Sequence, residues 1–347
     1  MRKVVIHRPG GYGQLKIEEH PDPVPQRGEV LIGIVTSGVN FADALVRQGL
    51  YASAKVYVGW PITPGFEFAG DILAVGAGVT GWTAGERVFG ISRFGAYATH
   101  LCVPATQIFP IPSGFSDAEA GAFPAVFLTA YHALFQHVRL RPGMHALVHS
   151  AAGGVGTALL QLAKVAGLHT TAVVGATHKV EVALQFGADV VIDKSREDLW
   201  PRAEQVCPHG FDLVLDGNGP STLKQSYAHL APVGKLVTYG FHSMFSKRGG
   251  FPNYPRLMWQ LLKLPCFSPR KLVNHNRSII AFNVSYLVDR IDLVREAMDD
   301  LLAWVESNRI RAPQVQEFDF ERVADAQRAL ESGTTTGKLV LRHTGPG

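Results

Sequence analysis

Ser150-Ala151-Ala152-Gly153-Gly154-Val155-Gly156 is the stretch whose reading decides the fold. An apolar strand candidate, Ala146-Leu147-Val148, runs into it, and a helical pattern, Thr157-Ala158-Leu159-Leu160-Gln161-Leu162-Ala163-Lys164, runs out of it. Strand, glycine turn and helix in that order form the phosphate-binding entrance of a dinucleotide fold. Glycines let the backbone turn tightly and approach a pyrophosphate, which then sits at the positive end of the helix. Glycine clusters also serve ordinary tight turns and close helix packing, but here the flanking pattern favours binding. The backbone amides of Gly153, Gly154, Val155 and Gly156 are the expected pyrophosphate donors.

The next strand candidate, Thr170-Thr171-Ala172-Val173-Val174, ends in Gly175-Ala176-Thr177-His178-Lys179. An NAD-preferring site usually carries Asp or Glu there to accept hydrogen bonds from the ribose 2′-hydroxyl. No acid appears before Glu181, which should already lie on the following helix. Thr177 and Lys179 offer a hydroxyl and a cation instead, a pair suited to a 2′-phosphate. The competing reading makes Lys179 a solvated first-turn lysine. Missing acid plus added cation points to NADPH as the cofactor.

Bulk properties narrow the class. A chain of 347 residues exceeds the usual single-domain length and predicts two cores. A net charge of +4 gives no case for nucleic-acid binding. No apolar run reaches membrane-spanning length, and Met1-Arg2-Lys3-Val4-Val5-Ile6 reads directly into a strand without a signal-peptide core. Cys102, Cys207 and Cys266 are isolated and odd in number, which fits free thiols in a reducing, cytoplasmic setting.

Residues 1 to about 120 read as short strands joined by Gly/Pro turns, an all-β, barrel-like unit. From about 125 strands and helices alternate, which implies parallel strands with crossover helices. The strand candidates are Ala146–Val148, Thr170–Val174, Val190–Ile192, Leu213–Leu215, Lys235–Thr238 and Ser278–Phe282. Val288 to Ser307 reads as one long amphipathic helix, and a final strand, Lys338–Leu341, should return to the first unit. The fold class is therefore α/β: a Rossmann dinucleotide-binding domain, about 125–284, inserted in a β-barrel domain formed by 1–124 and 285–347.

The glycine loop, the insertion and several local motifs together resemble the medium-chain dehydrogenase/reductase superfamily over essentially the whole chain. Asn40-Phe41-Ala42-Asp43 with Arg47-Gln48-Gly49-Leu50-Tyr51 is similar to the nicotinamide-side motif of its zinc-independent quinone oxidoreductases. Pro64-Gly65-Phe66-Glu67, Leu128-Thr129-Ala130-Tyr131 and Gly337-Lys338-Leu339-Val340-Leu341 match further family segments. The resemblance implies a GroES-like β-barrel for the first domain and a homodimer. Zinc relatives place Cys near Asn40 and His where Phe66 stands. With no Cys before Leu101 and no cluster of four cysteines, no metal is expected. The long connection 241–275, with Asn276-Arg277 and Phe282-Asn283, resembles the branch related to the synaptic vesicle amine transport protein.

By that resemblance Asn40 and Thr129 contact the nicotinamide side, and Asn218 lines the adenosine side. Phe241, Phe282 and Asn283 edge the nicotinamide, and Lys338 belongs to the cofactor site. Family members often carry an aromatic after the third strand; here Lys194 follows Ile192-Asp193, a lost stacking platform and a second cation for the 2′-phosphate. Hydride arriving at carbon leaves negative charge on oxygen, so a donor there lowers the barrier and a proton must follow. Tyr51 is the first candidate for that role, with Asn40 beside it; the alternative is that Tyr51 only packs or holds the cofactor. Asp43 and Arg47 can pair at i, i+4 as scaffold, and Glu67 is structural.

Those features lead to a zinc-free NADPH-dependent reductase of a quinone or the activated C=C of an α,β-unsaturated carbonyl compound. A dedicated enoyl reductase is the second reading, with Lys247, Arg248, Arg256, Lys263, Arg270 and Lys271 as a basic patch for a carrier arm. A non-catalytic NADPH-binding protein is the third. The 241–275 connection admits a pocket wall or dimer contact on one side and an amphipathic membrane contact on the other.

Overall fold

The computed structural model describes residues 1–244, 250–251 and 254–343, with the side chain of Arg256 left out. Lys247 and Arg248, and the Arg256 side chain, lie outside the described residues. Fifteen strands are found among those described. Arg2–Val5 (β1) and Lys16–Glu19 (β2) form an antiparallel ribbon. Glu29–Val39 (β3), Glu67–Val75 (β4), Arg87–Ile91 (β5), His100–Pro104 (β6) and Ile108–Pro110 (β7) follow. His145–His149 (β8), His169–Val174 (β9), Val190–Asp193 (β10), Phe211–Asp216 (β11), Leu230–Thr238 (β12) and Ser278–Ala281 (β13) belong to the second unit. Val315–Asp319 (β14) and Lys338–Arg342 (β15) close the chain.

β3 organises the first unit. Its N-terminal half pairs with β6 and its C-terminal half with β15, while β4 lines the opposite edge. The seven-stranded sheet therefore runs β14-β15-β3-β4-β5-β7 with β6 attached to β3. Alternation along β3 turns Val30, Ile32 and Ile34 into a core with Phe68, Ile72 and Val88. Helices Phe41–Arg47 (α1), Ala52–Tyr57 (α2) and Asp117–Ala122 (α3) sit within the stretch that reads as all-β, so the unit is not purely β.

The second unit is a six-stranded sheet in the order β10-β9-β8-β11-β12-β13, with every pair parallel. Strand order reverses between β8 and β11, the switch point where open α/β sheets bind ligands beyond the strand C-termini. The chain enters this sheet after helix Pro124–Tyr131 (α4) and, after leaving it, supplies β14 and β15 to the first sheet. A Rossmann-type sheet is thus inserted into a GroES-like unit. One apolar core joins α4, helix Gly154–Val165 (α5), the sheet and helix Ile291–Glu306.

Two expectations are corrected. The amphipathic helix expected from Val288 to Ser307 is present as Ile291–Glu306 but starts later, because a 3₁₀ turn spans Val284–Asp289. The segment 241–275 is not an extended loop throughout, since Tyr254–Leu262 and Pro269–His275 are helical. Met258, Trp259 and Leu262 on the first of these stand exposed.

Candidate cofactor and substrate site

The glycine loop lies at the sheet's switch point. Ser150 adopts φ 53°, which turns the chain out of β8, and Gly153 forms the N-cap of α5. A Cβ on Gly156 would stand 2.4 Å from the Ser150 carbonyl oxygen and 2.6 Å from Ala151 Cα, so only glycine allows the helix to seat this close. A Cβ on Gly153 would meet nothing nearer than that same oxygen at 3.4 Å, leaving open space on its outer side. The amides of Gly154, Val155 and Gly156 occupy the first turn, where helix N–H groups have no intrahelical acceptor. A close-approach glycine, open space and free first-turn amides fit a pyrophosphate.

Neighbouring segments brace the loop. Ser150 Oγ donates to Asn218 Oδ1 at 2.8 Å, across the switch point. Buried Asp216 at the end of β11 holds that turn by accepting from the Asn218 and Gly219 amides through Oδ1. Its Oδ2 accepts from Ser226 Oγ, which also meets His149 Nε2 at 3.0 Å. Burial lowers the His149 pKa despite the Asp216 charge, which keeps this imidazole neutral. Phe241 lies against Gly219 and is half exposed. On the other side the Gly337 amide donates to the Ala152 carbonyl, docking the start of β15 on the loop.

At the C-terminal end of β9, Thr177 Oγ1 donates to Asp193 Oδ2 at 2.7 Å and accepts from Arg196 Nε at 3.0 Å. Asp193 is held ionised below the usual carboxylate range by hydrogen bonds from Ser195 and Thr177. Lys194 reaches over Gly175, where a Cβ would stand 3.4 Å from its Cε. Lys179 Nζ donates to the Gly333 carbonyl at 2.7 Å on the same rim. Three cations and a threonine hydroxyl therefore surround one strand end. Arg196, two positions beyond Lys194, was missed in the sequence although the run Asp193-Lys194-Ser195-Arg196 carries the signal of paired cations.

The other end of the cleft joins the two units. Tyr51, 9% exposed, donates to Asn283 Oδ1 at 2.9 Å, uniting two residues singled out separately. Burial raises the Tyr51 pKa, opposed by hydrogen bonding to Ser285 and Asn283. Ser285 Oγ donates to Ser53 Oγ at 3.1 Å, and Tyr57 Oη donates to Asp289 Oδ2 at 2.7 Å. All three contacts span 232 positions, so α2 and segment 283–289 run alongside each other in register. Phe66 crosses Tyr51 edge-on at 5.6 Å and meets Phe94 at 5.2 Å. Where zinc relatives are expected to carry a ligand, this chain builds an aromatic cluster. Among the described residues no three His, Cys, Asp or Glu side chains converge as a metal-binding group. Phe282 packs at 6.3 Å from Tyr239, and Thr129 Oγ1 donates to the Ala125 carbonyl one turn back in α4.

Asn40 has a different setting from Tyr51. Its Nδ2 donates to Glu67 Oε1 at 2.8 Å, and its Oδ1 accepts from Lys338 Nζ at 2.5 Å. Lys338 also pairs with Glu67 Oε1 at 2.6 Å, and Glu67 Oε2 accepts from the Ala125 amide. Asp43 and Arg47 do not pair with each other, contrary to their i, i+4 spacing. Asp43 accepts from the Asn40 and Gly65 amides and the Tyr97 hydroxyl. Burial drives its pKa up to about 7 against those hydrogen bonds. Arg47 instead reaches Gln327 and Glu331, with no side-chain exposure. Both turn inward because their helix face is buried, with the C-terminal helix Val323–Ser332 packed against α1.

Two known families match separate parts of the chain. "Alcohol dehydrogenase GroES-like domain" covers residues 26–113 and "Zinc-binding dehydrogenase" covers 186–341. The synaptic vesicle membrane protein VAT-1 homolog of Rattus norvegicus is 34% identical over 344 residues, 98% of this chain and 84% of that protein. The solved Escherichia coli quinone oxidoreductase complexed with NADPH superimposes with a TM-score of 0.85 at 26% identity, covering 99% of this chain and 100% of that one. The CurK enoyl reductase gives 0.85 at 25% identity, covering 99% of each chain. With both units matched and the similarity running end to end, this chain belongs to the medium-chain dehydrogenase/reductase superfamily, in the branch of the VAT-1 homologues.

Proposed function

We propose that the chain is an NADPH-dependent reductase of a quinone or of the activated C=C of an α,β-unsaturated carbonyl compound, working without zinc. The observation that carries this reading is the buried Tyr51–Asn283 pair, set where the two units meet. NADPH, when bound, supplies the hydride. Gly153 to Gly156 hold the pyrophosphate, and Thr177, Lys194 and Arg196 hold the 2′-phosphate, with Lys179 at the rim. Asn218 keeps the adenosine side in shape through Ser150. Thr129, Phe282 and Asn283 border the nicotinamide end, with Phe241 beside the switch point.

Tyr51 is the hydrogen-bond donor to the substrate oxygen, turning its one hydroxyl proton there from Asn283 Oδ1, which keeps the Ser285 amide as a donor. Its raised pKa keeps the phenol protonated at neutral pH, so it can stabilise the negative charge that develops when hydride reaches carbon. The Ser285 and Ser53 hydroxyls adjoin Tyr51 and hold its ring in place through their shared hydrogen bonds. Asn40 and Lys338 act by positioning: their mutual bonds with Glu67 tie α1 to β15 and to the α4 N-terminus. Parallel binding titrations with NADPH and NADH, followed by NADPH oxidation with 1,4-benzoquinone and a simple enone, test the proposal. Selective NADPH binding with turnover of either acceptor supports it. Absence of binding to both cofactors refutes it, and binding without turnover of a broad acceptor panel favours the dedicated enoyl reductase.

A further inference from the structure

The structure assigns a two-histidine transition-metal site to His132 and His137, at the end of the helix that leads into the parallel sheet. The helix departs from α geometry here: residues His132–Gln136 form a π turn. In a regular α-helix, positions five apart point about 140° away from each other, at roughly 100° per residue. The i→i+5 bonding of a π turn stacks them instead, and such bulges recur at functional sites. As a result the two Nε2 atoms stand 2.9 Å apart, with ring centroids separated by 4.2 Å.

Hydrogen bonding fixes the tautomers. Gln136 Nε2 donates to the Leu293 carbonyl, so its Oε1 faces His132 Nδ1. His132 therefore carries its proton on Nδ1 and presents a lone pair at Nε2. His137 Nε2–H donates to that lone pair. A metal ion takes the place of this one proton: His137 moves its proton to Nδ1, and both Nε2 lone pairs become ligands. Two nitrogens each about 2.05 Å from one ion lie about 2.9–3.4 Å apart for angles between square and tetrahedral. The observed separation already falls in that range. His132 keeps the Nδ1–H···O contact that orients metal-bound imidazoles.

His132 is half-buried, while His137 opens to solvent and offers a route of entry. Imidazole nitrogens select borderline divalent ions, Cu(II) most tightly, with Ni(II) and Zn(II) behind it. Water fills the remaining coordination positions. Both rings pack on Phe282, at 4.7 Å and 5.3 Å. Phe282 borders the proposed nicotinamide end and the next residue, Asn283, accepts from Tyr51, so the site backs onto the cleft wall.

The test titrates the full-length protein with Cu(II), read by electron paramagnetic resonance and by competition with glycine. The expected result is one equivalent bound with two imidazole nitrogens, and at least a tenfold loss of affinity in His137→Gln. His132→Gln should behave alike. His20→Gln, in the exposed His7–Glu18–His20 group, should leave that equivalent intact. Affinity should fall as the pH is lowered and protons compete for the same lone pairs. Wild-type Cu(II) affinity in His137→Gln, a position on the surface where folding is not at stake, overturns the assignment. Loss of the equivalent in His20→Gln alone overturns it as well.

Discussion

Two glycines of the same loop should fail in different ways when given a methyl group. In Gly156→Ala the new Cβ would lie 2.4–2.7 Å from backbone atoms of Ser150 and Ala151, which cannot swing aside as a side chain does. Overpacking of this kind costs about 1–3 kcal/mol, and rigid neighbours place it near the upper end. Better helix propensity returns about 1 kcal/mol. The net loss of about 2 kcal/mol corresponds to a Tm drop of about 4–8 °C. In Gly153→Ala the backbone angles, φ −85° and ψ 173°, suit alanine, and the only near contact is 3.4 Å. Its stability cost is that of exchanging Gly for Ala at an N-cap, under about 1 kcal/mol. The methyl group then occupies the space assigned to the pyrophosphate, so NADPH affinity should drop at least about tenfold, or 1.4 kcal/mol. Differential scanning fluorimetry and an NADPH fluorescence titration on both variants separate the effects. Near-native NADPH affinity in Gly153→Ala would refute the placement of the pyrophosphate, and a native Tm in Gly156→Ala would refute the packing argument.

Tyr51→Phe should lower kcat by about 10–100-fold while leaving the NADPH dissociation constant unchanged, because a phenol donor acts on developing charge; equal loss of cofactor binding would assign Tyr51 a cofactor role. Arg196→Ala should reduce the preference for NADPH over NADH by about tenfold, about the worth of one charge-assisted contact, read from paired titrations. Glu331→Gln leaves Arg47 buried with its partner charge removed and should cost about 3–5 kcal/mol in urea unfolding. Asp43, with a folded pKa of about 7 against about 3.9 unfolded, holds its proton more tightly when folded. Its contribution is complete below pH 4 and is lost as pH rises through 7, on the order of 4 kcal/mol. Asp43→Asn should flatten that part of the urea-midpoint profile between pH 5 and 7.5, and an unchanged slope would place the titration elsewhere.

The glycine loop was legible because glycine has a local reason to be there: the spacing of strand, turn and helix carries it without long-range information. The pairing of Tyr51 with Asn283 was not, since nothing in either segment encodes a partner 232 positions away. Each residue could be singled out, but their meeting depends on how the returning chain crosses α2. Asp43 and Arg47 show the opposite failure. Their i, i+4 spacing is a sound rule for a solvated helix face, yet this face is buried, and each charge found stronger partners in Gly65, Tyr97 and Glu331. Arg196 lies two positions beyond the residue that the family pattern marks after Ile192-Asp193, so the pattern does not reach it. The π turn at His132 has no sequence signature of its own.

The two sides of the cleft are held differently, and that difference constrains how it can open. On one side Lys338, Glu67 and Asn40 form a buried ionic lattice in which Lys338 is 4% and Glu67 0% exposed, joining α1, β4, α4 and β15. These three residues all belong to the first unit and move together, so the lattice meets the entry helix α4 only through the Ala125 amide on Glu67 and stays intact when the cleft widens. On the other side the register of α2 with 283–289 rests on three hydrogen bonds, each worth about 1 kcal/mol and the outermost, Tyr57–Asp289, exposed to water. Arg93 reinforces that outer end by pairing with Asp289 and lying over the Tyr57 ring at 3.7 Å, but an ion pair in contact with solvent adds little. A motion that widens the cleft therefore takes its cheapest course by parting the α2 seam from its outer end inward. Tyr51 makes the last bond on that path, so the residue proposed to stabilise the substrate oxygen is also the one that marks the seam as closed.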